Sequence, residues 1–187
     1  MEQFNLHAFV SSPSDLPKSA YVDLLLFISD IKPAIRIGVL DDVRAFKLCQ
    51  WATVFGYFSK IDDHGFAFVS KVNNVEHLIQ VDQSYLDHTG ELGKLLGYPI
   101  CCVKKISKVG ESNIDSYEEN VVYSWEFEND FQLISPNLYY QGCSLISHIP
   151  CSPTCTRSLS IARKVLSIVK NNQSHHRFSN FKQWLSH

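Results

Sequence analysis

The sequence predicts an α+β fold of one domain, with a central antiparallel sheet flanked by helices. The chain has 187 residues, about the length of one ordinary domain, and 45% of them are apolar, which is enough for a core. Apolar residues recur at helical spacing near both ends, and runs rich in aromatic and β-branched residues lie in the middle. We place residues 1–187 in this domain, with residues 170–187 as a candidate C-terminal appendage.

The N-terminal part predicts a helix followed by a strand. Residues 14–17, Ser-Asp-Leu-Pro, are typical of a helix start, and the Lys-Pro pair at 32–33 ends the helix. The apolar stripe consists of Tyr21, Leu24, Leu25, Ile28 and Ile31. Residues 34–40 alternate loosely between apolar and polar side chains, which favours a strand, and the Asp pair at 41–42 ends it.

The middle of the chain predicts an antiparallel sheet. Residues 51–59 and 66–72 are rich in aromatic and β-branched side chains, which favour strands. The sequence Asp-Asp-His-Gly at 62–65 separates them and is typical of a hairpin turn, because glycine tolerates positive φ. Residues 75–81 are predicted to add a third strand.

The second half predicts mainly helices. A helix is expected from Ser84 to Gly97, and Pro99 is suited to the first position of another, which would contain both Cys101 and Cys102. The apolar residues of the first of these helices are Leu86, Leu92, Leu95 and Leu96. Residues 110–120 are predicted to be a polar connector and residues 121–127 a further strand.

The C-terminal part predicts a long helix and a short tail. The Ser-Pro pair at 152–153 begins a helix that extends to about residue 169, and residues 178–185 form an amphipathic tail. The apolar face of the helix contains Ile161, Ala162, Val165, Leu166 and Val169. Residues 129–142 have little regular pattern.

Charge and hydropathy exclude several classes of protein. The net charge is −2 and the pI about 6.4, so no nucleic-acid surface is expected. The N-terminus lacks the pattern of a signal peptide, and the longest apolar run, residues 24–28, is too short to span a membrane. We therefore expect a cytoplasmic protein, in which cysteines are metal ligands or reactive thiols more often than disulfides.

The strongest functional signal is the clustering of soft side chains. Five of the six cysteines and one histidine lie between residues 101 and 155. The candidate metal ligands are Cys101, Cys102, Cys143, His148, Cys151 and Cys155, and the candidate cofactor ligands among them are Cys101, Cys102, Cys151 and Cys155. The spacing His-x-x-Cys-x-x-x-Cys at 148–155 is short enough for one metal centre.

Both cysteine motifs are predicted to lie at the N-terminus of a helix. Pro99 would place Cys101 and Cys102 at the first turn of one helix, and Ser152 would cap another with Cys155 in its first turn. Unpaired amide groups and the helix dipole stabilise thiolates there. Because adjacent side chains on a helix diverge by about 100°, we expect Cys101 or Cys102 to be a ligand and the other to lie nearby or to bind another metal of a cluster.

The residue spacing leaves the metal open. The paired Cys-x-x-Cys knuckles of many zinc sites are absent, whereas iron–sulfur clusters accept irregular spacing. An iron–sulfur cluster, such as a [4Fe–4S] cluster, is therefore the first hypothesis, with zinc and a metal-free thiol site as the alternatives.

Two segments of the sequence resemble the motifs of a known protein family. Residues 95–102, LLGYPICC, and residues 148–155, HIPCSPTC, resemble a family of prokaryotic proteins of unknown function that pairs an LGYP-x-CC element with an H-x-P-C-x-x-x-C element. The resemblance implies that both elements form one site. It implies no activity.

These observations lead to three hypotheses for the function. The first is an iron–sulfur protein acting on a small molecule; the second is an accessory or binding protein for a partner enzyme, with a structural zinc; the third is an enzyme with Cys155 or Cys102 as nucleophile and His148 as base. No Gly-rich nucleotide loop and no serine-hydrolase elbow occurs in the sequence. Neither a nucleic acid nor a membrane is expected as partner, and the oligomeric state is left open.

Overall fold

The computed structural model describes residues 4–38, 40–84, 89–125 and 131–185. The α-helices are α1 (Leu6–Val10), α2 (Lys18–Ile28), α3 (Asp42–Val54), α4 (Val75–Asp82), α5 (Thr89–Leu95), α6 (Ile100–Val109), α7 (Ile114–Trp125) and α8 (Thr156–Asn171). The strands are β1 (Ala34–Ile37), β2 (Phe58–Ile61) and β3 (Ala67–Ser70). Short 3₁₀ helices span Glu111–Asn113, Phe131–Ile134, Pro136–Leu138 and His176–Leu185.

The three strands form one antiparallel sheet in the order β1-β3-β2. The predicted hairpin turn joins β2 to β3. Asp62 Oδ1 accepts hydrogen bonds from the backbone amides of His64 and Phe66, and Gly65 adopts a φ of 84°. The α+β prediction is confirmed, and so is the hairpin.

The sheet separates two apolar clusters. On one face, Ile35 pairs with Val69 in the large core, where α2 and α8 also pack. On the other face, Phe68 is fully buried in a smaller cluster with side chains of α4 and α5. Because the side chains of a strand alternate between faces, the central strand β3 is buried on both sides.

Residues 51–59 were predicted to be a strand, and this prediction is wrong except for residues 58 and 59. Residues 51–54 belong to helix α3, and β2 starts only at Phe58. Asp41 is the N-cap of this helix, and its carboxylate accepts a hydrogen bond from the Arg44 amide at 2.9 Å. The aromatic residues that suggested a strand serve tertiary packing instead. Trp51 donates its indole N–H to the carbonyl of Ala8, 2.9 Å away, and packs in the core.

Two further strand predictions and one loop prediction are also wrong. Residues 75–81 lie in α4, and residues 121–125 lie in α7, while 126 and 127 fall outside the described residues. The polar connector at 110–120 is the 3₁₀ turn and the first part of α7. Helix α7 buries only Val121 completely. A mostly exposed helix resembles a loop in composition, so polarity alone did not distinguish the two.

The helices that carry the cysteine motifs were predicted correctly. Helix α6 follows Pro99, and α8 begins at Thr156, four residues later than predicted. The predicted C-terminal tail contributes Phe178 and Phe181 to the large core, both fully buried. Among the described residues, no helix has the length and apolar composition needed to cross a bilayer.

Candidate metal centre

Two helix N-termini bring the cysteines together. Pro99 is the N-cap of α6, so Cys101 and Cys102 lie in its first turn. Cys155 is the N-cap of α8 rather than a first-turn residue, and its carbonyl accepts the first bond of that helix from the Leu159 amide at 2.9 Å. The preceding turn, closed by the Cys155 amide on the Ser152 carbonyl at 3.2 Å, leads back to Cys151.

Four sulfur atoms converge at this point. The Sγ atoms of Cys101, Cys102, Cys151 and Cys155, here called the cysteine centre, all lie within 4.8 Å of one another. Three of the separations are shorter still: Cys101 to Cys102 is 3.9 Å, and each of these is 3.7 Å from Cys155. Both adjacent cysteines therefore reach one point, although helical geometry favours only one of them.

The centre lies at the edge of the core. Cys102 and Cys155 are buried, at 2% and 5% exposure, whereas Cys101 and Cys151 are half-buried. All four are free thiols. An ion could therefore approach from the side of Cys101 and Cys151 and be held against the buried pair.

The pKa values of the thiols diverge. Burial raises the pKa of Cys102, and burial together with hydrogen bonds to neighbouring sulfurs raises that of Cys151 to about 11. Burial also disfavours the Cys155 thiolate, but hydrogen bonds from Ser158 and the neighbouring thiols outweigh it and lower the pKa of Cys155 to about 6. One thiolate surrounded by thiol donors is thus favoured when no cation is bound.

His148 reaches the centre through one serine. Its Nε2 lies 2.8 Å from Ser158 Oγ, and the Ser158 hydroxyl donates to Cys155 Sγ at 3.3 Å. Burial and the nearby Lys32 charge lower the pKa of His148 to about 3, so the ring is neutral at pH 7. Because the Ser158 proton is directed at sulfur, we assign the ring proton to Nε2, which donates to Ser158.

A buried hydroxyl lies within the electrostatic influence of two of these sulfurs. Tyr117 Oη is enclosed and has no hydrogen-bond partner among the described residues. Burial raises the pKa of Tyr117, and the charges of Cys151 and Cys102 raise it further. A buried donor without an acceptor is costly, and a metal-bound thiolate would supply one. The residues around the centre therefore fit a bound cation.

A buried ion pair lies close enough to His148 for its lysine to affect the imidazole. Lys32 and Asp23, 3% and 1% exposed, form an ion pair of 2.7 Å. Lys32 also donates to Ser147 Oγ at 3.0 Å, and the Tyr139 hydroxyl donates to the second carboxylate oxygen of Asp23. We call these four residues the ion-pair cluster. Burial disfavours the charged lysine, but Asp23 outweighs that effect and raises the pKa of Lys32.

The remaining candidates lie elsewhere. The group of four contains neither Cys143 nor His148. The Cys143 thiol donates to the Leu138 carbonyl, 3.7 Å away, and His148 is linked to the centre by its hydrogen bond with Ser158. Sequence reasoning missed both Ser158 and Tyr117. The position of Ser158, one turn after Cys155 in a helix, could have revealed the first; nothing in the sequence indicated the second.

Comparison with known proteins gives a family. A family model described as "Protein of unknown function (DUF483)" matches residues 67–185, which include all four cysteines of the centre. No match was found among curated proteins or among solved structures.

Proposed function

This chain belongs to the DUF483 family of proteins of unknown function, and we propose that it binds one tetrahedral metal ion, zinc, through the cysteine centre. The observation that carries this proposal is the mutual approach of the sulfurs of Cys101, Cys102 and Cys155, at 3.7–3.9 Å.

The separations support a single ion. Four thiolates at about 2.3 Å from one zinc, in tetrahedral directions, lie about 3.8 Å from each other. In a [2Fe–2S] cluster two cysteines share each iron, so only pairs approach closely, and in a [4Fe–4S] cluster each cysteine binds its own iron. The three close sulfurs form a triangle, which matches one face of a tetrahedron around a single ion.

The proposed site has a structural role. Four protein ligands leave no open position, which is typical of structural rather than catalytic zinc. The ion would link the N-terminus of α6 to that of α8. Four thiolates and one divalent cation carry a net charge of −2, which the amide groups and dipoles of these helix ends favour.

Elemental analysis of anaerobically purified protein, with a 300–700 nm spectrum, tests the proposal. We expect one zinc per chain and no colour. Iron with acid-labile sulfide and a broad band near about 400 nm would contradict it in favour of the iron–sulfur hypothesis. Protein without metal, which takes up none from added zinc, would leave the cysteine-enzyme hypothesis, for which the lowered pKa of Cys155 is the supporting observation.

A pair of variants locates the ion. Cys102→Ser is expected to abolish stoichiometric zinc and to lower the melting temperature strongly, since metal binding adds to folding free energy. Cys143→Ser is the matched control, because Cys143 is also buried, at 6% exposure, and lies outside the centre. Equal metal loss in both variants would contradict the assignment of the four ligands.

A further inference from the structure

A partly open cavity of about 370 Å³ borders the cysteine centre. Cys102 and His148 line one side of it, so the cavity and the centre share a wall. Pockets of this size hold small organic molecules rather than single ions. Nothing in the proposed metal role uses this space.

The cavity walls are mainly apolar. Aliphatic side chains include Val103 and Ile106 of α6, Ile114 of α7, and Ile146 and Ile149 of the segment before α8, and α4 and α5 add Val81 and Leu92. They favour an occupant with an apolar body. Aromatic rings complete the lining, from Tyr98, Tyr139 and Tyr140. The faces of such rings attract cations.

The charged residues at the cavity have an excess of carboxylates. Arg36 and Asp82 line it but neutralise each other, with Arg36 Nε 2.9 Å from Asp82 Oδ2. Glu111 and Glu118 line it as well, and within the described ranges neither takes part in a salt bridge of 4.0 Å or less. Two negative charges thus face the cavity without a paired cation.

Two acidic residues near Glu118 add to the negative charge on this side of the cavity. Its carboxylate is half-buried, and burial together with the charges of Asp115 and Glu119 raises its pKa. The buried Lys32 behind the cavity offers little compensation, because Asp23 neutralises it at 2.7 Å. An anionic occupant would meet repulsion at the carboxylates and find no free cation in the lining.

We propose that this cavity binds a small organic cation, a protonated amine with an apolar body, whose ammonium group pairs with Glu118 and whose body lies against the aliphatic and tyrosine walls. This binding site goes beyond the proposed metal function and does not depend on it. The ammonium would lie at the side of α7, and the apolar part would extend towards Cys102 and His148.

Three probes of similar size test the proposal on the metal-loaded full chain: 2-phenylethylamine, 2-phenylethanol and 3-phenylpropionate. Titrations followed by NMR shifts report both affinity and location. We expect the amine to bind at least about tenfold more tightly than the other two, a difference of about 1.4 kcal/mol. The shifts should concentrate on residues that line the cavity.

Two variants assign the charge selectivity. Glu118→Gln should remove most of the preference for the amine, whereas Glu119→Gln, on the exposed side of the same helix, should reduce it only slightly, because its charge acts on the site without lining the cavity. Ile114→Trp, which fills the cavity from α7, should weaken all three probes. Equal binding of the three probes, stronger binding of the carboxylate, or no shifts at the cavity would each overturn the proposal. Metal content, measured on the same samples, reports separately on the proposed metal site.

Discussion

The cysteine centre and the ion-pair cluster are two buried polar groups joined by aromatic contacts. Lys32 Nζ lies 4.8 Å from the ring centroid of Tyr98, and the Tyr98 ring lies 5.5 Å from that of His148, which contacts the centre through Ser158. The ion-pair cluster contains its own cation and anion. The cysteine centre contains acids alone, since every member can lose a proton and none can gain one.

The difference teaches which buried group requires a ligand from outside the chain. A buried carboxylate beside a lysine is neutralised within the protein, and its remaining lone pairs accept from Tyr139. Four converging thiols hold one stable thiolate at most, until a divalent cation allows all four to ionise. With the proposed metal the cysteine centre would be complete, whereas the ion-pair cluster is complete as it stands.

The largest effect on stability is expected when the ion-pair cluster loses its lysine. Lys32→Met keeps the volume but leaves Asp23 charged, buried and unpaired, which should lower the free energy of unfolding by about 3–5 kcal/mol. Urea unfolding of the metal-loaded protein measures this loss. Zinc content of the folded variant should remain one per chain, because Lys32 is not a ligand.

An exposed ion pair provides the matched control. Lys47 lies 2.7 Å from Asp15, the same distance as in the buried pair, but the two side chains are 48% and 36% exposed. Lys47→Met should therefore cost only a small fraction of what Lys32→Met costs. Similar losses in the two variants would show that burial does not set the energy of the Asp23–Lys32 pair.

The sequence predicted the placement of the cysteines better than the fold around them. Short motifs define helix starts locally, so Pro99 and the 148–155 segment were enough to place the cysteines at helix N-termini. In other segments, packing against the rest of the fold determined the secondary structure. Residues 75–81 resemble a strand in composition because Val75, Leu78 and Val81 are apolar, yet these side chains form one buried face of a helix.

The contacts between distant segments could not be predicted. The ion pair joins Asp23 and Lys32 of the N-terminal region, and its contacts to Tyr139 and Ser147 cross more than a hundred residues. No spacing rule relates such positions. The pairing of the Pro99 motif with the cysteines before α8 was predicted because their side chains are soft and because both elements resemble those of one known family.

A smaller effect is expected at the hydroxyl that links His148 to the centre. Ser158→Ala removes the donor to Cys155 Sγ and should weaken zinc binding about 10–100-fold, as loss of partners of metal ligands does. Competition with a chromophoric chelator measures the affinity. Ser160→Ala, an exposed position on the same helix, should leave the affinity unchanged. An unchanged affinity in Ser158→Ala would mean that the hydrogen bond at 3.3 Å does not support the metal-bound thiolate.

The smallest effect is expected at Tyr117, and its sign should depend on the metal. Without metal, Tyr117→Phe removes a buried hydroxyl that has no partner, so stability should be unchanged or higher. With zinc bound, the same hydroxyl can donate to a thiolate, and its loss should weaken zinc binding about 2–10-fold, the range of one hydrogen bond. Tyr123→Phe, on the same helix but 79% exposed, should change neither quantity. If Tyr117→Phe destabilises the metal-free protein instead, the hydroxyl already has a partner, and it gives no support for a cation at the cysteine centre.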